Sequence, residues 1–179
     1  MNECHIRHAT AADLPAVVAI YNASIPGQMA TADVEPVTVA QREDWFRTFD
    51  PKIRPLWIYE DAGVTAGWLG LRSFYGRPAY HRTVESAVYV APLHQRRGIA
   101  RALLDHALAS APALGIANVL GFVFAHVGDA EHRAVRGAGV WPLGPAAAGV
   151  RDRRGRTRPP HPGAAPLRSC AAKIMRIHA

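Results

Sequence analysis

The sequence predicts an α/β domain, and two observations lead there. Strand-like and helix-like stretches follow one another as strand, helix, helix, three strands, helix, strand. The join at residues 85–104 runs from an apolar, β-branched strand through an arginine-rich glycine turn into a helix. The charge of the body is balanced: residues 1–150 hold 13 basic and 13 acidic side chains, so the whole net charge of +7 belongs to residues 151–179. A binder of phosphate backbones is expected to carry its positive charge on a folded face instead. At 179 residues the chain fits one domain with a sizeable core.

In chain order, Ile6–Ala9 reads as a short strand. Thr10 then stands three residues before Asp13, a variant of the capping box that opens a helix carrying Leu14, Val17, Val18 and Tyr21 at helical spacing. Residues 22–36 are irregular, with a turn at Pro26-Gly27. Thr38 is placed to cap a second helix through Trp45, Phe46 and Phe49 that ends before Pro51. Leu56–Glu60 reads as a strand, Asp61-Ala62-Gly63 as a hairpin turn, and Val64–Ser73 as the returning strand. A polar and aromatic connection, residues 72–81, leads into the strand with Val88, Tyr89 and Val90, which Pro92 terminates. Pro112 and Gly115 close the next helix, and Asn118–Ala125 is the last convincing strand.

The turn at Gly98 carries the chemistry. Free N–H groups at the helix start and the helix dipole favour an anion there. Gly98 removes the Cβ that would keep a phosphate off the backbone, and Arg96, Arg97 and Arg101 can add charge-assisted bonds. An arginine-rich surface turn without a ligand is the plainer alternative. Cys4 and Cys170 lack metal-ligand spacing, and no metal is expected. No apolar run reaches membrane-span length, and the N-terminus lacks the order of a signal peptide; both suit a cytoplasmic protein.

The pattern Gln95-x-x-Gly98-x-Ala100 after a strand resembles the turn with which GNAT-superfamily N-acetyltransferases hold the pyrophosphate of acetyl-CoA. Further stretches resemble the phosphinothricin N-acetyltransferase group within that superfamily: Ile20-Tyr21-Asn22, the Thr31–Pro36 loop, Trp68-Leu69, Ser73-Phe74-Tyr75, Arg77–Tyr80 and Thr83–Val90. The resemblance spans about residue 5 to His126. It implies the GNAT fold, a mixed central sheet splayed where the cofactor inserts, with acetyl-CoA as co-substrate. It also implies that Val88, Tyr89 and Val90 meet the pantetheine arm while Gln95, Arg96, Arg97, Gly98, Ile99, Ala100 and Arg101 hold the diphosphate.

Acetyl transfer to an amine needs deprotonation, a polarised thioester and two reactants held together. Glu85, an acid inside an apolar strand, needs a task or a partner. The resemblance makes it the general base; an ion pair with Arg82 or Arg72 is the alternative. Arg72, Phe74, Tyr75 and Tyr80 could form the pocket of a small amino acid, with arginine taking its anionic end. His81 and His94 read as solvated and His126 as structural. A homodimer is compatible with all of this. Two other readings remain: acetylation of a different small amine, and a non-catalytic acyl-CoA-binding or nucleic-acid-binding module.

The resemblance stops near residue 127, so the folded domain is expected over 1–127 and an atypical tail over 128–179. Asp152–Gly163 reads as disordered. Back-translated with permitted codons and read one base later, residues 129–163 can encode a stretch containing LFEALGF, very like the missing end of the group. The tail is therefore expected to be an out-of-frame translation, leaving the last strand with an open edge.

Overall fold

The computed structural model describes residues 4–27, 30, 31, 33–124, 141, 142 and 170–176. Strand β1 (Cys4–His8) lies antiparallel to β2 (Leu56–Asp61), β2 to β3 (Val64–Ser73), and β3 to β4 (Thr83–Val90). Strand β4 then runs parallel to β5 (Asn118–Phe124), which makes the sheet mixed. Helix α1 (Leu14–Asn22) and helix α2 (Val39–Arg47) cover one face; α3 (Ile99–Ser110) covers the other.

Local sequence explains these boundaries. The Asp13 carboxylate accepts from the Thr10 N–H at 2.7 Å and from its hydroxyl at 2.9 Å, closing the turn before α1. Arg7 donates to both Asp13 oxygens at 2.8 Å and to Glu60 at 2.8 Å, pinning α1 to β1 and β2. The Arg7 guanidinium holds the Asp13 carboxyl down at about 2. Thr38 caps α2: its hydroxyl accepts from the Gln41 N–H at 3.2 Å, while the Gln41 side chain accepts from the Thr38 N–H at 2.8 Å. Ala62 and Gly63 both have positive φ, 52° and 78°, as a two-residue hairpin with the twist of its strands requires.

Alternation along the strands divides the core. Leu69, Leu71 and Val84 point toward α3 and pack with Ile99, Leu103 and Leu104. Ile58 and Trp68 point the other way, against Val17 and Ile20 of α1 and the rings of Trp45, Phe46 and Phe49. Burying each such aliphatic side chain contributes about 1.5–3 kcal/mol.

The splay lies between β4 and β5. Their pairing runs from Thr83 opposite Asn118 to Ser86 opposite Gly121 and stops there. Beyond it, Ala87–Val90 pairs only with β3, among the described residues, and Phe122–Phe124 only with the strand on its other side.

That other strand corrects one expectation. Instead of an open edge, β5 has an antiparallel neighbour. With β6 (Trp141–Pro142) and β7 (Cys170–Arg176), the sheet has seven strands in the order β1-β2-β3-β4-β5-β7-β6. Residues 170–176 contain neither proline nor glycine, so every position can donate to the ladder and hold extended backbone. Residues 152–163 and His126 lie outside the described residues. The first strand begins and ends slightly earlier than its sequence pattern indicates, at Cys4 and His8.

Candidate active site

A cavity of about 180 Å³ opens on the α1–α2 face of the sheet. Two helices and the sheet converge on it. Helix α1 contributes Val17, Val18 and Tyr21; α2 and the residues beside it contribute Val37, Arg42, Trp45 and Phe49. The sheet forms the floor, where alternate residues of two strands face the same way: Trp68, Gly70 and Arg72 from β3, Glu85, Ala87 and Tyr89 from β4. Gly70 is small for a reason. A Cβ at this position would come within 2.9 Å of the Phe49 ring, so the glycine gives that ring its place in the wall.

Glu85 and Arg72 are opposite one another in the β3–β4 register. Sequence alone allowed a structural ion pair between them, but no ion pair within 4.0 Å joins Glu85 to any charged side chain among the described residues. A carboxylate and a guanidinium therefore line one cavity, each with capacity for a ligand. That pairing of groups suits a zwitterion: an ammonium for Glu85 and an anionic end for the arginine.

The rim is a polar network. The Tyr21 hydroxyl donates to the Asp33 carboxylate and shares a hydrogen bond with the Thr31 hydroxyl at 2.7 Å. Arg42 donates to Asp33 at 3.2 Å, and its guanidinium lies 4.7 Å from the centre of the Tyr21 ring. Tyr89 stacks obliquely on Trp68 at 4.8 Å and donates through its hydroxyl to the Ala30 carbonyl at 3.1 Å. Burial pushes the Tyr89 hydroxyl well above the ordinary tyrosine value; burial and then the Asp33 contact raise Tyr21. Both remain proton donors at neutral pH, and together they tie Ala30, Thr31 and Asp33 to the side of the cavity that the two tyrosines line.

The turn before α3 has the form an anion needs. Gln95 is extended, Arg96 has φ of 61°, and Gly98, at φ 84°, is left-handed and caps α3. A Cβ on Gly98 would meet no atom within 4 Å, so the backbone is open to an approaching group. The first-turn amides of a helix, here from Ile99 through Arg101, have no intrahelical acceptor. The residues present thus fit a diphosphate, and the stretch of β4 from Val88 to Val90, paired with β3 but with no partner on its β5 side among the described residues, leads from the turn toward Glu85. The arginines are unequal. Arg97 is bound to Asp61 at 2.9 Å, and Arg101 bonds Asp105 through its Nε. Arg96 is exposed, with no ion pair among the described residues.

Sequence reasoning placed several residues differently. Phe74, Tyr75 and Tyr80 do not line the cavity; they pack edge to face on one another outside it, at 4.5 and 5.9 Å. Tyr75 and Gly76 have positive φ, and Tyr75 and Tyr80 are exposed. Tyr89, assigned to the cofactor, points its side chain into the cavity. His94, read as solvated, is half-buried beside Asp61. Arg42, Trp45 and Trp68 were not singled out as site residues. The signal available for them was Arg42 and Trp45 spaced one helical turn apart, on the helix face that also carries Phe49. Among the described residues, no group of three His, Cys, Asp or Glu is placed to hold a metal ion.

A mixed sheet that splays beside a Gly-opened helix, with an acid in the adjoining cavity, defines an acyltransferase architecture of GNAT type. The model of the acetyltransferase (GNAT) family matches residues 17–137, and the chain belongs to that family. It is 44% identical over 122 residues to YwnH of Bacillus subtilis (strain 168), whose name assigns it provisionally to phosphinothricin acetylation. This match covers 68% of the chain and 74% of the relative. It is 36% identical to the phosphinothricin N-acetyltransferase of Streptomyces viridochromogenes, covering 66% of the chain but 64% of that relative. The L-methionine sulfoximine/L-methionine sulfone acetyltransferase of Pseudomonas aeruginosa is 32% identical, with 62% of the chain and 65% of the relative covered. A crystal structure of a protein provisionally named a phosphinothricin N-acetyltransferase superposes with a TM-score of 0.81 at 33% identity, over 99% of this chain and 100% of that one. A Sinorhizobium meliloti phosphinothricin acetyltransferase solved with acetyl-CoA shares the fold, with a TM-score of 0.80 at 24% identity over 97% and 88% of the two chains. No helix among the described residues is long and apolar enough to cross a membrane.

Proposed function

We propose that this chain transfers an acetyl group from acetyl-CoA to the α-amine of a small amino acid or analogue of the phosphinothricin or methionine sulfoximine type. One observation carries the reading: Glu85 and Arg72 share a cavity on the strand pair whose far end opens toward the Gly98 turn. Relatives named for acetylation of phosphinothricin and methionine sulfoximine support the substrate class.

Bound acetyl-CoA supplies the thioester carbonyl. The amides around Gly98, with Arg96, hold its diphosphate; the unpaired backbone of Val88 and Val90 offers donors and acceptors to the pantetheine arm and the thioester oxygen. Arg72 orients the acceptor by its anionic end, and the aromatic wall of Trp45 and Trp68 excludes water around it. Glu85 takes the ammonium proton, directly or through one water, so that the neutral amine attacks the carbonyl carbon and the C–S bond breaks. The nitrogen sheds its second proton as the amide forms, the leaving thiolate takes that proton, Glu85 returns its own to solvent, and no acyl group resides on the protein. Proton transfer of this kind contributes about 10²–10⁴-fold.

The reading includes a cytoplasmic location, a folded body over residues 1–127 whose sheet β7 and β6 extend, and a homodimer to which the exposed Phe74–Tyr80 loop, with Tyr75 77% accessible, could contribute. It also holds residues 128–179 to be an out-of-frame product. A thiol-release assay across an amino-acid panel that includes phosphinothricin and methionine sulfoximine tests the substrate class. The chain as it stands and a frame-restored version are both assayed. Release with these acceptors in either version, above that with a polyamine or an aminoglycoside, is expected. Preference for the polycations contradicts the proposal. Sequencing the gene tests the tail: codons incompatible with the shifted reading remove that part.

A further inference from the structure

Asp61 and Asp13 are the two charged residues buried among the described residues, and their partners differ in kind. Asp13 is satisfied within the scaffold, by Arg7 and Thr10. Asp61, 8% exposed at the end of β2, reaches out to the anion-binding turn twice. Its Oδ2 lies 2.9 Å from Nη2 of Arg97 and 3.9 Å from Nε2 of His94. Its Oδ1 accepts from the Cys4 thiol at 3.3 Å. The two turn contacts bracket Gln95 and Arg96, and Arg96 is one of the few non-glycine residues with positive φ. A left-handed arginine persists only where its surroundings over-determine it. The next residues, Arg97 and Gly98, then set the start of α3. Without a fixed point on either side, the stretch from His94 to Gly98 has no reason to keep its amides facing outward.

We infer that Asp61 is a positioning residue for the diphosphate of acetyl-CoA: through its ion pair with Arg97 it holds the Gln95–Gly98 backbone in its receiving conformation. Arg97 serves as a tether and not as a phosphate ligand, because its guanidinium already lies on the buried carboxylate. Arg96 and the backbone amides are left to meet the diphosphate. The inference rests on the acetyl-transfer reading above, and it assigns to β2, a strand remote in sequence from the turn, a share in cofactor affinity.

The test compares two donors. Acetyl-CoA and S-acetyl-pantetheine carry the same thioester, but the second has no diphosphate. Asp61→Asn keeps the size of the side chain and removes its charge. The expected result is a fall of about tenfold in kcat/KM for acetyl-CoA, carried by KM, with S-acetyl-pantetheine altered less than about twofold. Equal loss with both donors, no change with either, or tighter use of acetyl-CoA would overturn the inference. The last outcome would mean that Asp61 merely neutralises a phosphate-binding arginine. Should Asp61→Asn fail to fold, the surface change Arg97→Gln breaks the same pair from its exposed end. In the free protein, amide hydrogen exchange over residues 94–99 is then expected to speed up about tenfold; exchange at the native rate overturns the tether. Because that second readout needs no donor or acceptor, it judges the tether even if wild-type protein transfers no acetyl group, a result that would count against the acetyl-transfer reading alone.

Discussion

On the α3 side of the sheet, Leu69 and Leu71 of β3 and Val84 of β4 are sealed from solvent and meet Leu103, itself fully buried. On the opposite side, the residues between and beside them, Gly70, Arg72, Glu85 and Ala87, face a cavity. The same two strands thus present an apolar set to one layer and a mixed set, with an acid and an arginine, to the other, through nothing more than the two-residue period of the pleat. The α3 face is closed along these residues; the α1–α2 face, beside its own buried cluster of Val17, Ile20, Ile58 and Trp68, leaves room for an acid, an arginine and open space. This division explains how a domain keeps a half-buried carboxylate inside an otherwise apolar strand.

Changes on each face should therefore separate stability from chemistry. The largest effect on stability is expected on the sealed face. Leu103→Ala, which leaves a cavity against Leu69 and Leu71, should cost about 2–5 kcal/mol in denaturant unfolding while leaving acceptor specificity intact. A changed acceptor preference would break the division.

A smaller effect is expected at the hinge between the faces, where Arg7 holds Asp13. The folded-state carboxyl titrates at about 2, below its ordinary 3.8. A depressed carboxyl contributes stability above its unfolded value, and loses it as pH falls through the folded one. Between about pH 4 and pH 2, wild-type protein should lose about 2 kcal/mol that Asp13→Asn does not lose. Parallel acid profiles for the two proteins would show that α1 is held on the sheet by packing alone.

The smallest effect belongs to the cavity wall. Thr38→Ala removes the hydroxyl that caps α2. It should cost about 1 kcal/mol, read as a lower denaturation midpoint. It should also raise acceptor KM more than acetyl-CoA KM, since α2 carries Arg42 and Trp45 to the cavity.

How much of this was legible beforehand follows the range of the interactions. Helix α1, the capped start of α2, the hairpin at Ala62-Gly63 and strand β3 depend on neighbours in sequence, and their signals stand in the chain. The Gly98 turn is local too, so Gln95–Arg101 could be read as a unit. The wall of the cavity is not. Tyr21, Arg42, Trp68 and Tyr89 come together only when two helices settle on one face of the sheet, and each alone reads as a core or surface residue. The aromatic loop at Phe74–Tyr80 shows the reverse. Its composition suggests a pocket, but its aromatic rings pack on one another and line no part of the cavity. Asp61 was read as a turn residue because a hairpin needs one there; its tie to Arg97, 36 positions on, belongs to the fold. Strand β7 was missed because the residues before it are rich in proline, glycine and arginine, which masked a short strand-compatible segment near the chain's end.

The central claim is that the reactive face works through Glu85. It is tested most directly by measuring thiol release and acetyl-CoA affinity for wild-type protein and Glu85→Gln, with the best acceptor of the panel. The account predicts that the variant binds acetyl-CoA within about threefold of wild type and turns over at least about a hundredfold more slowly. Equal turnover by the two proteins would contradict it.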